Sequence, residues 1–112
     1  MSDTMSDGMD KTTFIVSPEG RLDTESSHKF QEMLDNAFLS DQKRIILDLT
    51  RVEYISSLGL RIILSSAKRS KDAGREFSLC GATGAVAEIL EISAFHRIIL
   101  CYPTLDDAQK RA

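Results

Sequence analysis

R-I-I-L-D-L-T, residues 44–50, and after three intervening residues Y-I-S-S-L-G-L, residues 54–60, decide how this chain folds. Within the first, I-I-L-D-L (45–49) is a near-continuous apolar run, the pattern of a strand covered on both faces. Beyond the second, Leu60, Ile63, Leu64 and Ala67 fall at helical spacing. Two adjacent serines and a glycine stand where the strand region hands over to that helix. Small hydroxyls at such a point serve as a helix cap, as a nucleophile, or as the target of another enzyme.

Outward from this stretch the pattern alternates. T-T-F-I-V (12–16) is strand-like, being β-branched and aromatic. Pro18 and Gly20 mark a turn, through which the first strand is expected to pair antiparallel with its neighbour. Phe30, Met33, Leu34, Ala37 and Phe38 lie on one face of a helix over 24–39, capped by Asp23 or Thr24. Gly74 suits a left-handed end to the helix after 60. F-S-L-C (77–80) and R-I-I-L-C (97–101) read as strands, with a helix carrying Val86, Ile89 and Leu90 between them. Thr104 to Asp107 resembles a capping box and opens a last helix. Strands alternating with helices predict an α/β domain: a mainly parallel or mixed sheet of four to five strands with about four helices packed on it.

The chain of 112 residues is the length of one domain and long enough to bury a core without staples. M-S-D-T-M-S-D-G-M-D nearly repeats M-S-D, so residues 1–11 read as a disordered tail and 12–112 as the domain. A net charge of −3 argues against a general nucleic-acid binder, which needs clustered Lys and Arg. Lys68, Arg69, Lys71 and Arg75 do cluster, but at a helix C-terminus, where they complement the dipole. No apolar stretch approaches the ~20 residues of a membrane span. The N-terminus is polar and acidic rather than a signal peptide, so no direct membrane insertion and a cytoplasmic protein are expected. Cys80 and Cys101 each end an apolar run and read as buried, reduced thiols.

Candidate chemistry is sparse. A hydrolase nucleophile elbow reads G-x-S-x-G, and here Gly59 follows Ser57 but Ile55 replaces the first glycine. The only histidines are His28, on the first helix, and His96, by the last strand, and a lone His in such a place is usually structural or solvent-facing. A serine at 56 or 57 as N-cap is the simple structural reading, contributing about 1 kcal/mol. G-A-T-G-A-V (81–86) opens a helix after a strand, but lacks G-x-G-x-x-G and G-K-[ST], so it reads as a turn and no cofactor is expected. Asp23 and Asp48 read as a cap and a strand-end acceptor rather than as an acid–base pair. No His–carboxylate cluster suggests a metal.

G-R-L-D (20–23), I-I-L-D-L (45–49), Y-I-S-S-L-G-L-R-I-I-L (54–64), F-S-L-C-G-A (77–82) and V-A-E-I-L-E-I-S (86–93) together resemble a STAS domain, over about residues 12–112. More narrowly, the chain resembles the stand-alone bacterial anti-sigma factor antagonists. That resemblance implies a partner switch rather than an enzyme. The unphosphorylated form binds an anti-sigma factor that is also a serine kinase of the histidine-kinase ATPase fold, and so frees the sigma factor. The kinase phosphorylates one serine at the start of the second helix, which dissociates the pair, and a serine phosphatase resets it.

Carried onto this sequence, the acceptor is Ser57. Many members have Asp directly before that serine; here it is Ser56, which becomes the alternative acceptor. Asp23, Ser56, Ser57 and Gly59 are the implied recognition spot, with Leu58 and Arg61 as exposed flanking contacts and Leu60 in the core. A phosphate at a helix N-terminus is compatible with the fold, yet adds about −1.5 to −2 charges to any interface there. Two other roles use the same surface: a STAS subunit of a membrane transport complex, such as a phospholipid-trafficking ABC system, and a partner switch with an output other than sigma. Nucleotide binding at 81–86 is a third.

Overall fold

The computed structural model describes residues 12–110; the expected tail, 1–11, lies outside them. The chain runs β1 (Thr13–Val16), β2 (Gly20–Leu22), α1 (Ser27–Leu39), β3 (Arg44–Asp48), β4 (Val52–Ile55), α2 (Ser57–Asp72), β5 (Glu76–Cys80), α3 (Gly84–Ile92), a single 3-10 turn (Phe95–Arg97), β6 (Leu100–Tyr102) and α4 (Leu105–Lys110). Four strands form one parallel sheet in the order β1-β3-β5-β6. The α/β architecture expected from the alternation is therefore present.

The central strand explains the layering. Ile45 and Leu47 face one way and Ile46 the other, and all three are buried. The first side holds the main core, with Phe30 and Leu34 of α1, Ile63 of α2 and Val86 of α3. The second side is smaller and is closed by Ala108 of α4 against Ile46 and Cys80. Burial on both faces is what a continuous apolar run requires.

The expected antiparallel pairing of the first strand does not occur. β1 pairs parallel with β3, and β2 leaves the sheet to pair parallel with β4 in a separate two-stranded ribbon. The turn at 17–20 does not form a hairpin. Gly20, at φ +78°, instead directs the chain toward the 51–52 region, where its amide donates to the Arg51 carbonyl at 2.9 Å. β4 was hidden in the sequence because its four residues were read as the approach to the helix.

Three other expectations are corrected. The run R-I-I-L-C does not make one strand: Ile99 donates to the Phe95 carbonyl, closing a helical turn that buries both side chains, and β6 starts only at Leu100. Cys80 is buried, but Cys101 is exposed; both thiols are free. On α2 the buried positions are Gly59, Ile62, Ile63, Ser66 and Ser70, while Leu64 is exposed. The spacing is still helical, but small residues carry much of it. Ser70 satisfies its buried hydroxyl by donating to the Ser66 carbonyl at 2.9 Å.

Helices α1 and α2 are joined by two arginines. Arg75, just beyond α2, donates to the carbonyls of Ala37, Phe38 and Ser40 at 3.2, 3.3 and 2.7 Å, satisfying the open end of α1. Arg69 pairs with Asp35 at 2.9 Å and lies over the Phe38 ring, 4.1 Å from its centre.

α2 also rests directly on β2. A Cβ on residue 59 would lie 2.7 Å from the Leu22 carbonyl oxygen and 2.9 Å from Ile55 Cγ2. Alanine is better than glycine in a helix by about 1 kcal/mol, but here overpacking against backbone opposes it at about 1–3 kcal/mol. Gly59→Ala is therefore expected to lower the urea midpoint; an unchanged or raised midpoint would show that α2 can lift off β2 freely. Arg75→Ala, which leaves three carbonyls without their cationic donor, should cost about 2 kcal/mol by the same measurement.

Candidate functional site

The site is built where β4 becomes α2. Ser56 is extended, at φ −83° and ψ 173°, and caps the helix: its Oγ accepts from the Gly59 amide at 3.2 Å. Its amide donates to the Leu22 carbonyl and its own carbonyl accepts from Leu60, both at 2.9 Å. Ser56's amide, carbonyl and Oγ lone pair are thus all engaged at the β4–α2 junction. The cap falls to the first serine, which leaves Ser57 as the first helical residue, exposed and with no side-chain hydrogen bond among the described residues. The amides of Ser57 and Leu58 have no intrahelical acceptor, as in any first turn.

Around Ser57 the predicted residues separate into two groups. Arg61, one turn on, is exposed on the same side of the helix. Leu58 is not an exposed flanking contact: it is half-buried and packs on the main core. Gly59 is buried beneath the helix against Leu22, so it positions the surface without being part of it. Leu60 packs on the core as expected.

Asp23 follows Leu22, and the pairing of Leu22 with Ile55 brings it level with Ser56. Its Oδ1 accepts from the amides of Glu25 and Ser26 at 3.1 and 3.2 Å, one turn ahead of α1. It therefore caps this turn rather than α1 itself, whose N-cap residue is Ser26. Its Oδ2 accepts from Arg21 Nε at 3.2 Å. The Ser26 amide, ahead of Arg21, holds the Asp23 carboxyl below the usual carboxylate range. Arg21 also lies over the Tyr54 ring, 4.4 Å from its centre. The sequence reading missed this Arg21–Tyr54 pair, because only the β2–β4 register puts the two residues opposite each other.

Among the described residues no histidine or carboxylate is bonded to the Ser57 hydroxyl. Ser57 has no bond to His28 or His96; His28 instead faces Glu32 at 3.7 Å. Asp48 turns inward, accepting from Thr50 N and Thr50 Oγ1 and facing the Cys80 thiol. Burial, reinforced by the Asp48 charge, pushes that thiol up to about 12, which keeps it protonated and unreactive. Asp23 and Asp48 share no partner. In the 81–86 turn, Gly81 at φ +75° packs against Thr50 and Asp48, and Thr83 starts α3 without a side-chain cap bond. Among the described residues no group of three or more His, Cys, Asp or Glu could hold a metal, and no helix is long and apolar enough to cross a membrane.

The arrangement can be compared with known proteins. The STAS domain family model matches residues 6–108. The chain is 34% identical over 89 residues to BtrV of Bordetella bronchiseptica, whose name proposes an anti-sigma factor antagonist, covering 80% of this chain and 73% of that one. It is 29% identical over 89 residues to an anti-sigma F factor antagonist of Paenibacillus polymyxa, covering 79% of this chain and 76% of the other. A crystal structure from Thermotoga maritima, of a protein again proposed as an anti-sigma factor antagonist, superposes with a TM-score of 0.82 at 27% identity, covering 91% of this chain and 88% of that one. With nearly the whole chain matched in sequence and its fold matched in space, the protein belongs to the STAS domain family.

Proposed function

We propose that this protein is a non-enzymatic, cytoplasmic anti-sigma factor antagonist that works as a phosphorylation-controlled partner switch, with Ser57 as the acceptor. One observation carries the reading: of two adjacent serines, Ser56 serves as the cap and Ser57 is displayed on the first turn of α2, its hydroxyl unbonded among the described residues. The names of its relatives supply the partner class. The unmodified surface around Ser57 and Arg61 binds an anti-sigma factor that is also a serine kinase, and a serine phosphatase restores it.

Electrostatics favours such a cycle. The helix N-terminus stabilises an added anion within the fold. The same charge at an interface costs desolvation and like-charge repulsion, which together reach several kcal/mol. Phosphorylation would therefore leave the domain folded and remove the partner. Asp23, already tied to Arg21 and two amides, serves by fixing the β2 end beside Ser56 and by adding negative charge there.

The test is a binding titration with the cognate kinase, together with mass spectrometry of the phosphorylated chain. Ser57→Asp should weaken binding about 100-fold, as follows from a loss near 3 kcal/mol. Its unfolding midpoint should stay unchanged or rise, because an acid in the first turn is favourable by about 0.3–1 kcal/mol. Ser57→Ala should bind like the natural protein and take no phosphate. If both variants bind like the natural protein, the switch is refuted; phosphate found on Ser56 instead would move the acceptor by one residue. Co-purification with a transport ATPase, insensitive to Ser57→Asp, would favour the transport-complex role. A phosphate-sensitive kinase that releases no sigma factor would indicate a different output.

A further inference from the structure

A second surface lies at the other end of α2. Between the C-terminal half of that helix and β6 runs an open groove of about 540 Å³. Three large apolar side chains line it while remaining exposed: Leu64 at 37%, Ile98 at 64% and Leu100 at 49%. Among the described residues the other exposed large apolar ones, Leu39 and Ile92, do not line it. β6 is the last strand of the sheet and pairs only with β5, so no described strand covers this side.

The rim is cationic. Lys68 and Lys71 line the groove, and neither is ion-paired among the described residues. Among the described residues no acidic one lines it, although the chain as a whole carries −3. Leu64, Lys68 and Lys71 are spaced four and three apart, so apolar contact and charge follow one face of α2. An apolar trough with a one-sided basic rim matches an amphipathic helix whose polar edge carries Asp or Glu.

We infer that this groove is a second docking surface, and that its occupant is an acidic amphipathic helix of a partner protein. A two-fold pairing with a second copy would bring the same basic rim into one interface twice, with no acidic rim among the described residues to oppose it, which electrostatics disfavours. Two lysines are fewer than the about four to eight clustered cations of a lipid-binding patch, and the apolar floor beside them is concave rather than protruding. Ser57 and Lys71 are separated by about 20 Å along the helix, so a partner here does not compete with one at the phosphorylation site, and the inference stands whether or not Ser57 is phosphorylated.

The full chain, labelled with ¹⁵N, would be titrated with a synthetic 14-residue helical peptide bearing Leu on one face and Glu along its edge. Amide shifts should concentrate at Leu64, Lys68, Lys71, Ile98 and Leu100 and spare Ser57. Lys68→Glu with Lys71→Glu should weaken binding at least 10-fold, as should Ile98→Ser, while Ser57→Asp leaves it unchanged. All of these positions are at the surface, and urea midpoints would verify folding. Equal binding of the same peptide with Lys in place of Glu would overturn the inference, as would shifts located elsewhere. Binding that emerges only after Asp3→Asn, Asp7→Asn and Asp10→Asn would assign the groove to the chain's own acidic segment. A dimer in sedimentation that Ile98→Ser dissolves would assign it to a second copy. Retention on phosphatidylserine vesicles without peptide binding would assign it to lipid. Each of these three results overturns the partner helix.

Discussion

The Leu22 carbonyl is the point on which the site depends. It accepts the Ser56 amide at 2.9 Å and lies where any side chain on residue 59 would intrude, at 2.7 Å from a Cβ. Glycine in a helix interior is unfavourable by about 1 kcal/mol relative to alanine. It is tolerated here because it allows the first turn of α2 to sit directly on β2. With the helix seated, Ser56 must be extended, its Oγ reaches the Gly59 amide, and Ser57 is the first side chain to point away. The two-stranded ribbon therefore acts as the mount for the helix end, fixing which serine caps and which is displayed.

A mount this tight limits how a modification at Ser57 can be read. The first turn is held by the cap, by the Leu22 contact and by the packing of Leu58 and Leu60 on the core. An anion added there meets amides and a favourable dipole, so nothing in the fold pushes it to reorganise. The change that reaches a partner is charge and bulk on an otherwise constant surface. Order–disorder mechanisms require a segment with few buried contacts, and this junction has many.

How much of this could be read in the sequence follows from where the information lies. The double burial of β3 was legible because Ile45, Ile46 and Leu47 leave no polar face. α1 was legible because Phe30, Leu34 and Ala37 keep helical spacing. The β2–β4 ribbon was not, because Gly20–Leu22 and Val52–Ile55 are too short to show a period and their pairing is non-local. Leu64 was placed in the core stripe because apolarity stood in for contact; the true contact face uses Gly59, Ser66 and Ser70, which are small enough for close approach. The serine pair was recognisable as a motif, but assigning cap and display needed the direction of one hydroxyl. Arg21 over Tyr54 likewise needed the ribbon's register.

The basic cluster near the end of α2 shows the same division between what composition suggests and what contacts decide. Four cations, Lys68, Arg69, Lys71 and Arg75, had one bland explanation in the helix dipole. In the folded chain they separate by chemistry. Both arginines are structural: Arg69 stacks on Phe38 and pairs with Asp35, and Arg75 spreads its guanidinium over three carbonyls at the C-terminal end of α1, two in the helix and one on its cap residue Ser40. A planar, weakly hydrated fork suits stacking and a spread of fixed acceptors; a compact, strongly hydrated ammonium keeps its charge in water more readily. The two lysines are accordingly left at the groove as exposed charge beside an apolar floor that no described residue covers. α2 therefore carries committed side chains where it meets α1 and uncommitted ones at both of its ends, which is where a surface can take a partner without disturbing the core.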